Sequence, residues 1–175
     1  VVSFSLSLLV TSKVKLRNLY RAGFFVPNLI GGIVLGYIWQ FLFNNVLTPA
    51  VFQKSLIANS STVIWAMSLV NTWQYAGYIM MIYVAAIQGI PASLLEAANV
   101  DGANYFTRLR KILMPMMQSS FTITLFLTLT NSFKQFDMNY TLTNGGPGAR
   151  FLGMPVNASQ LLAMNIYDTA MNDNN

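Results

Sequence analysis

The sequence predicts an all-α protein, a polytopic bundle of transmembrane helices. Of its 175 residues, 54% are hydrophobic and only 9% are charged, with a mean hydropathy of +0.49. A soluble domain carries roughly 25% charged residues. Residues 24–43, 63–87 and 116–133 are mostly apolar runs, each long enough for a helix to cross a ~30 Å hydrocarbon core. The basic residues also alternate from loop to loop, as membrane topology requires. The length fits a single domain, 1–175.

Taken in order, residues 1–10 read as an apolar helix, followed by a basic cluster of Lys13, Lys15, Arg17 and Arg21. Residues 24–43 read as one continuous spanning helix. A polar loop, 44–61, carries Pro49 and Lys54. The second span follows, and then a charged segment, 89–115. The third span is 116–133. Residues 134–155 read as loop, centred on Gly145-Gly146-Pro147-Gly148. Residues 156–171 carry Asn157, Gln160, Asn165 and Asp168, which makes them poor material for a spanning helix.

Short loops rich in Lys and Arg stay in the cytoplasm. Lys13, Lys15, Arg17, Arg21, Arg108, Arg110 and Lys111 fall on one side of the predicted bundle, and Lys54, Lys134 and Arg150 on the other. The segment 89–115 is therefore expected to face the cytoplasm, and the Gly-Gly-Pro-Gly segment the outside. This alternation also explains the net charge of +5 without nucleic acid.

Within 89–115 the residues predict a helix, a break and a second helix. Pro91 suits a helix start, where its missing N–H is not needed. Asp101-Gly102 is a turn signal, because glycine reaches backbone angles closed to other residues. The alanines after Glu96 leave a shallow helix face, and Glu96 and Asp101 offer carboxylates to a cationic partner. From the residues alone this element fits two readings: a docking surface, or a hairpin whose charges are merely solvated.

Polar stripes mark the spans. Asn28, Gly32, Gly36 and Gln40 recur every four residues, and Gly32 with Gly36 forms a G-x-x-x-G pair that lets a second helix approach. Asn71, Gln74, Tyr75 and Tyr78 share one face of the second span. Amides beside aromatic rings suit a sugar, and they equally suit hydrogen bonds between helices. Ser120, Thr124, Thr128, Asn131 and Gln135 form a third stripe. Ser and Thr can bond to their own backbone, so Asn131 and Gln135 carry its weight as candidates for the pathway or its outer gate.

Several chemistries are excluded. Cysteine and histidine are absent, and the carboxylates Glu96, Asp101, Asp137, Asp168 and Asp173 are scattered. There is no GxxxxGK[ST] phosphate loop. No catalytic set, metal site or cofactor is expected. A membrane-embedded enzyme would need a reactive cluster within the spans. A channel or scaffold would need no ATPase.

The order Glu96-Ala97-Ala98, three residues, Gly102, nine residues, then Ile112-Leu113-Met114-Pro115, resembles the cytoplasmic EAA loop of permease subunits in binding-protein-dependent ABC importers. Asp101 and Ala103 are also common there, and Met114 stands where the family usually has Leu. The flanking FFVPNLIGGIVLGYIWQFLF and SFKQFDMNYTLTNGGPG are similar to the carbohydrate-uptake branch, the relatives of maltose permease subunits. The resemblance implies a type I ABC importer permease in a prokaryotic inner membrane, surrounded by lipid. It implies a docking surface of Glu96, Ala97, Ala98, Asp101, Gly102 and Ala103 for separate ATPase subunits. It also implies a second permease subunit and an extracytoplasmic solute-binding protein that meets the Gly145–Gly148 segment. The cargo expected is a sugar or oligosaccharide; the same architecture serves glycerol phosphate, amino acids or peptides. Such permeases usually have six spans, so the chain is expected to be a fragment.

Overall fold

The computed structural model describes residues 1–12, 15–52 and 55–172. Lys13, Lys54 and Asp173 lie outside the described residues. Helix α1 covers Val2–Thr11, α2 Arg17–Leu29 and α3 Gly32–Phe41, which widens into a π-helical stretch over Leu42–Phe52. Helix α4 is Val63–Gln88 and α5 is Ala92–Val100. Helix α6, Tyr105–Arg108, runs through a π-helical turn, Leu109–Leu113, into α7, Met114–Met116. Then come α8, Gln118–Lys134, and α9, Asp137–Thr143. A hairpin pairs β1, Gly148–Phe151, antiparallel with β2, Met154–Asn157, and α10 covers Leu162–Asn172.

The helical fold class is as expected, with three local corrections. First, the run 24–43 is two helices. Gly31 adopts φ −59°, ψ 142° and stops the first before Gly32 starts the second. Paired glycines weaken a helix interior, which hydropathy alone does not register. Asn28 therefore does not share a continuous helix with Gly32, Gly36 and Gln40. Second, α8 ends at Lys134, so Gln135 lies beyond the helix that carries Asn131. Third, the expected loop 134–155 contains α9 and β1, and its hairpin is a small β element in a helical chain.

Among the described residues no single helix is long and apolar enough to cross a membrane. Three helix pairs reach that length and composition together, each bent by more than 40° at a short break: 17–29 with 32–49, 63–88 with 92–100, and 105–116 with 118–134.

The chain forms two compact units, 1–28 with 75–128 and 29–74 with 129–175. In the first, Phe4, Tyr83 and Phe121 meet at ring-centroid distances of 5.3–5.8 Å, mostly edge-on. Ile90 and Met117 are buried beside them. The Tyr83 hydroxyl lies 2.7 Å from that of Thr124. Thr124 Oγ1 also donates to the Phe121 carbonyl, so Tyr83 is the donor to Thr124. Gly77 of α4 lies directly on the α2 backbone at Phe24.

In the second unit, Leu35, Phe43, Val63, Met67, Val70, Met138 and Leu142 form the core. Helix α9 lies across Gly32 and Gly36, where Asp137 and Thr141 occupy the space a side chain would need. The polar centre is Asn139, fully buried. Its Nδ2 donates to the Ser159 carbonyl at 2.7 Å, and its Oδ1 accepts from Leu161 N–H at 3.1 Å. Ser159 Oγ in turn donates to the Gly146 carbonyl at 2.6 Å. Asn139 thus ties the Gly-Gly-Pro-Gly segment and the start of α10 to α9. Asn139→Ala leaves a buried N–H and a buried C=O unpaired, each worth about 1–3 kcal/mol. We expect a clear fall in the temperature at which the purified full-length protein loses its monodisperse chromatographic peak. Asn139→Asp keeps the acceptor for Leu161 but sets a buried carboxyl against the Ser159 carbonyl, and should fall at least as far.

Candidate functional site

The segment 89–115 folds outward from α4. Pro91 precedes α5 with φ −56°, ψ 129°, and α5 leaves the axis of α4 at 68°. The helix is amphipathic in the simplest way. Leu95 packs against the Tyr83–Ile90–Met117 cluster, and Ala98, one turn later, is buried. Glu96, Ala97 and Val100 face out, Val100 with 89% of its surface free.

The end of α5 is a complete glycine stop. Gly102 N–H donates to the Asn99 carbonyl at 3.1 Å, and Ala103 N–H to the Ala98 carbonyl at 2.9 Å. This is the paired closure of a Schellman motif, which places its residue after the cap in the left-handed region. Gly102 has φ +72°, with nothing within 4 Å of where a Cβ would lie. The demand on Gly102 is therefore conformational, not steric. Asn104 then caps α6, its Oδ1 accepting from Thr107 N–H at 2.8 Å. Arg108 reaches back across the turn and donates through Nη1 to Asn99 Oδ1.

Of the six residues expected to form the docking face, Glu96, Ala97, Asp101 and Gly102 are exposed and Ala103 is half-buried. Ala98 corrects the expectation: it faces inward, so the two alanines do not make one shallow outer face. The roles of Asn99, Asn104 and Arg108 escaped the sequence reading. Asn104 carried a legible signal, an Asn directly before helical residues; the reach of Arg108 carried none.

The pathway candidates have mixed surroundings. Asn71 donates to the Met67 carbonyl of its own helix at 3.1 Å. Gln74 is 5% exposed, and its Nε2 donates at 3.3 Å to the Ile30 carbonyl, freed where the helix breaks. Its Oε1 is buried and has no hydrogen-bond partner among the described residues. Tyr75, Tyr78, Asn131 and Gln135 are half-buried. In the third stripe, Thr124 and Thr128 are engaged with backbone carbonyls. Beyond Gly148 the hairpin exposes Phe151, Leu152 and Met154 at 66–84%. At its base an open groove of about 630 Å³ is lined by Arg150, Asn157, Gln160 and Asn165, among others. Among the described residues no group of three or more carboxylates could hold a metal ion.

The profile of the family described as "binding-protein-dependent transport system inner membrane component" matches residues 3–172, which include the whole of segment 89–115. The chain belongs to this family. It is 42% identical, over 97% of its own length, to the probable starch degradation products transport system permease protein AmyD of Thermoanaerobacterium thermosulfurigenes, covering 58% of that protein. It is 27% identical to the trehalose/maltose transport system permease protein MalF of Thermococcus litoralis, over 96% of this chain and 58% of that protein. The likeness to family members named for sugars agrees with the carbohydrate-uptake branch. A crystal structure of a bacterial ABC transporter that imports the acidic polysaccharide alginate has a chain with the same fold, at a TM-score of 0.81 and 16% identity. That match covers 99% of this chain and 62% of the other. The chain thus spans about three-fifths of the proteins it resembles.

Proposed function

We propose that this chain is the membrane-spanning part of a permease subunit in an ATP-driven, binding-protein-dependent importer for a sugar or oligosaccharide. What carries the reading is the docking element. It is rigidly stopped at Gly102, seated on the body through Leu95 and Ala98, and bare along Glu96 and Ala97. Separate ATPase subunits bind that bare face from the cytoplasm. Their closing and opening moves α5 as a lever, and the helices respond as a two-state element between outward and inward openings. The chain itself hydrolyses nothing; its residues bind, orient and transmit.

The solute-binding protein delivers cargo on the opposite side, against the segment that runs from Gly145 into the hairpin. A second permease subunit completes the path. Gln74 is the strongest candidate of the polar stripe on α4, since its buried Oε1 can accept a hydroxyl proton that no described residue offers. Asn71, Tyr75, Tyr78, Asn131 and Gln135 contribute further amide, ring and hydroxyl contacts as the path opens.

Glu96→Ala tests the docking reading in the intact transporter, reconstituted with its ATPase subunits and binding protein. Losing a charge-assisted contact worth about 1.5–3 kcal/mol should lower transport by an order of magnitude or weaken recovery of the ATPase with the complex. Wild-type transport together with wild-type ATPase recovery overturns it. Screening the binding protein against sugars, glycerol phosphate, amino acids and peptides names the cargo, and a non-sugar ligand overturns that part of the reading.

A further inference from the structure

We propose that Asn99 and Arg108 form a cross-brace that sets the angle of the docking element, and that this brace, beyond the glycine stop, governs how faithfully ATP hydrolysis is converted into transport. The inference rests on the docking reading above.

The stop at Gly102 fixes only the end of α5. After it the chain runs through Ala103 to Asn104, which is extended at φ −70°, ψ 169°. Helix α6 then has four residues, none of them buried, and Tyr105 and Phe106 are 61% and 66% exposed. This first turn continues through the π-helical turn into α7, so what holds it is the packing further along and whatever ties down its start. Its downstream end is held, since Leu113 packs against the Tyr83 cluster. Its upstream end has no comparable apolar anchor. Arg108, on the first turn of the continuous stretch 105–116, ties it by a polar contact instead, returning nine residues along the chain to the Asn99 side chain. A bond from a cationic donor is roughly twice as strong as a neutral one. Asn99 lies on the last turn of α5, one residue from the exposed Val100, so the bond joins the two helices on either side of the turn. With the brace made, a push on α5 moves α6 and Leu113 as one body. Without it, the four-residue link between the helices, Asp101 to Asn104, can absorb the push.

The test uses the intact transporter with its ATPase subunits, in proteoliposomes. The readout is solute imported per ATP hydrolysed, with the yield of assembled complex as the measure of a merely structural defect. Asn99→Leu and Arg108→Leu should each lower that ratio about five-fold or more, the low end of typical coupling energies. The double variant should be no worse than either single one. Asn99→Asp, which keeps an acceptor for the guanidinium, should hold the ratio near wild type. If Asn99→Leu fails to assemble, the smaller Asn99→Ala supplies the same comparison. Additive losses, an unchanged ratio in both single variants, or an Asn99→Asp as defective as Asn99→Leu each overturn the brace. Glu96→Ala, run alongside, separates the two ideas. If it impairs coupling while the brace variants do not, the brace alone is wrong. If it too is without effect, the docking reading fails.

Discussion

Gly77→Leu is expected to abolish recovery of folded protein, and Gly77→Ala to destabilise it at the upper end of the range for overpacked sites. A Cβ at position 77 would lie 1.8 Å from the Phe24 carbonyl oxygen, 2.4 Å from the Phe24 carbonyl carbon and 2.9 Å from the Phe25 nitrogen. All three atoms are backbone, so no side chain can rotate away. The helices α2 and α4 must separate by an ångström or more to admit one methyl group, losing dispersion contacts along the seam. Overpacking of this kind costs about 1–3 kcal/mol and sometimes more. Close helix approach through a small residue is how membrane bundles gain packing where lipid is as apolar as the side chains. Gly23→Ala on α2 is the control. Nothing lies within 4 Å of its Cβ position, so it should be neutral or slightly stabilising. The check is the midpoint of heat-induced loss of the monodisperse peak for the full-length protein in detergent. A Gly77→Ala midpoint equal to that of Gly23→Ala sinks the prediction.

That contact shows where sequence reading reaches its limit. Hydropathy and length placed α4 to within a residue at each end, because nothing in 63–88 interrupts it. The turn at Asp101-Gly102 and the helix start after Pro91 were legible because glycine and proline change backbone geometry wherever they stand. Gly77 carried no such mark: a lone glycine in an apolar helix looks the same whether a neighbour's backbone or lipid lies over it. The break at Gly31 was missed for a related reason, since paired glycines blend into an apolar run. The hairpin was hidden by its turn. Leu152 and Gly153 both take positive φ, 51° and 83°. Such a turn is normally announced by Asn-Gly or Asp-Gly, and a leucine in the first place removes the signal. In segment 89–115 the helix period did contain the answer, for Leu95 and Ala98 are three apart and share the inward face. The EAA order drew attention to Glu96 and its two alanines as a unit, although their side chains point in different directions.

Gly36 is the other site where a missing side chain holds two helices together, and here the neighbour can be altered as well. A Cβ at Gly36 would meet Thr141 Oγ1 at 1.8 Å and Thr141 Cβ at 2.8 Å, with the Leu142 nitrogen at 3.4 Å. Thr141 cannot readily turn aside. It is 5% exposed, and its hydroxyl donates to the Asp137 carbonyl one turn back at 2.8 Å. Gly36→Ala should therefore push α9 off α3, stretching the 3.3 Å bond from Gln40 to the Leu142 carbonyl and loosening the turn that carries Asn139. Thr141→Ala alone gives up a bond within its own helix and the packing of the hydroxyl and methyl over Gly36, and should cost less than the Gly36 change. Combined, the two should partly compensate, because the 1.8 Å clash is removed while the 2.8 Å approach of two Cβ atoms remains. Thr141→Gly relieves both, against a helix-propensity cost of only about 0.4 kcal/mol relative to threonine. The decisive quantity is the non-additivity of the double variant in thermal midpoint. If Gly36→Ala and Thr141→Ala simply add, α9 does not sit on Gly36 in the assembled protein. If the double variant recovers, the seam between α3 and α9 is held by the fit of a threonine into the space a glycine leaves.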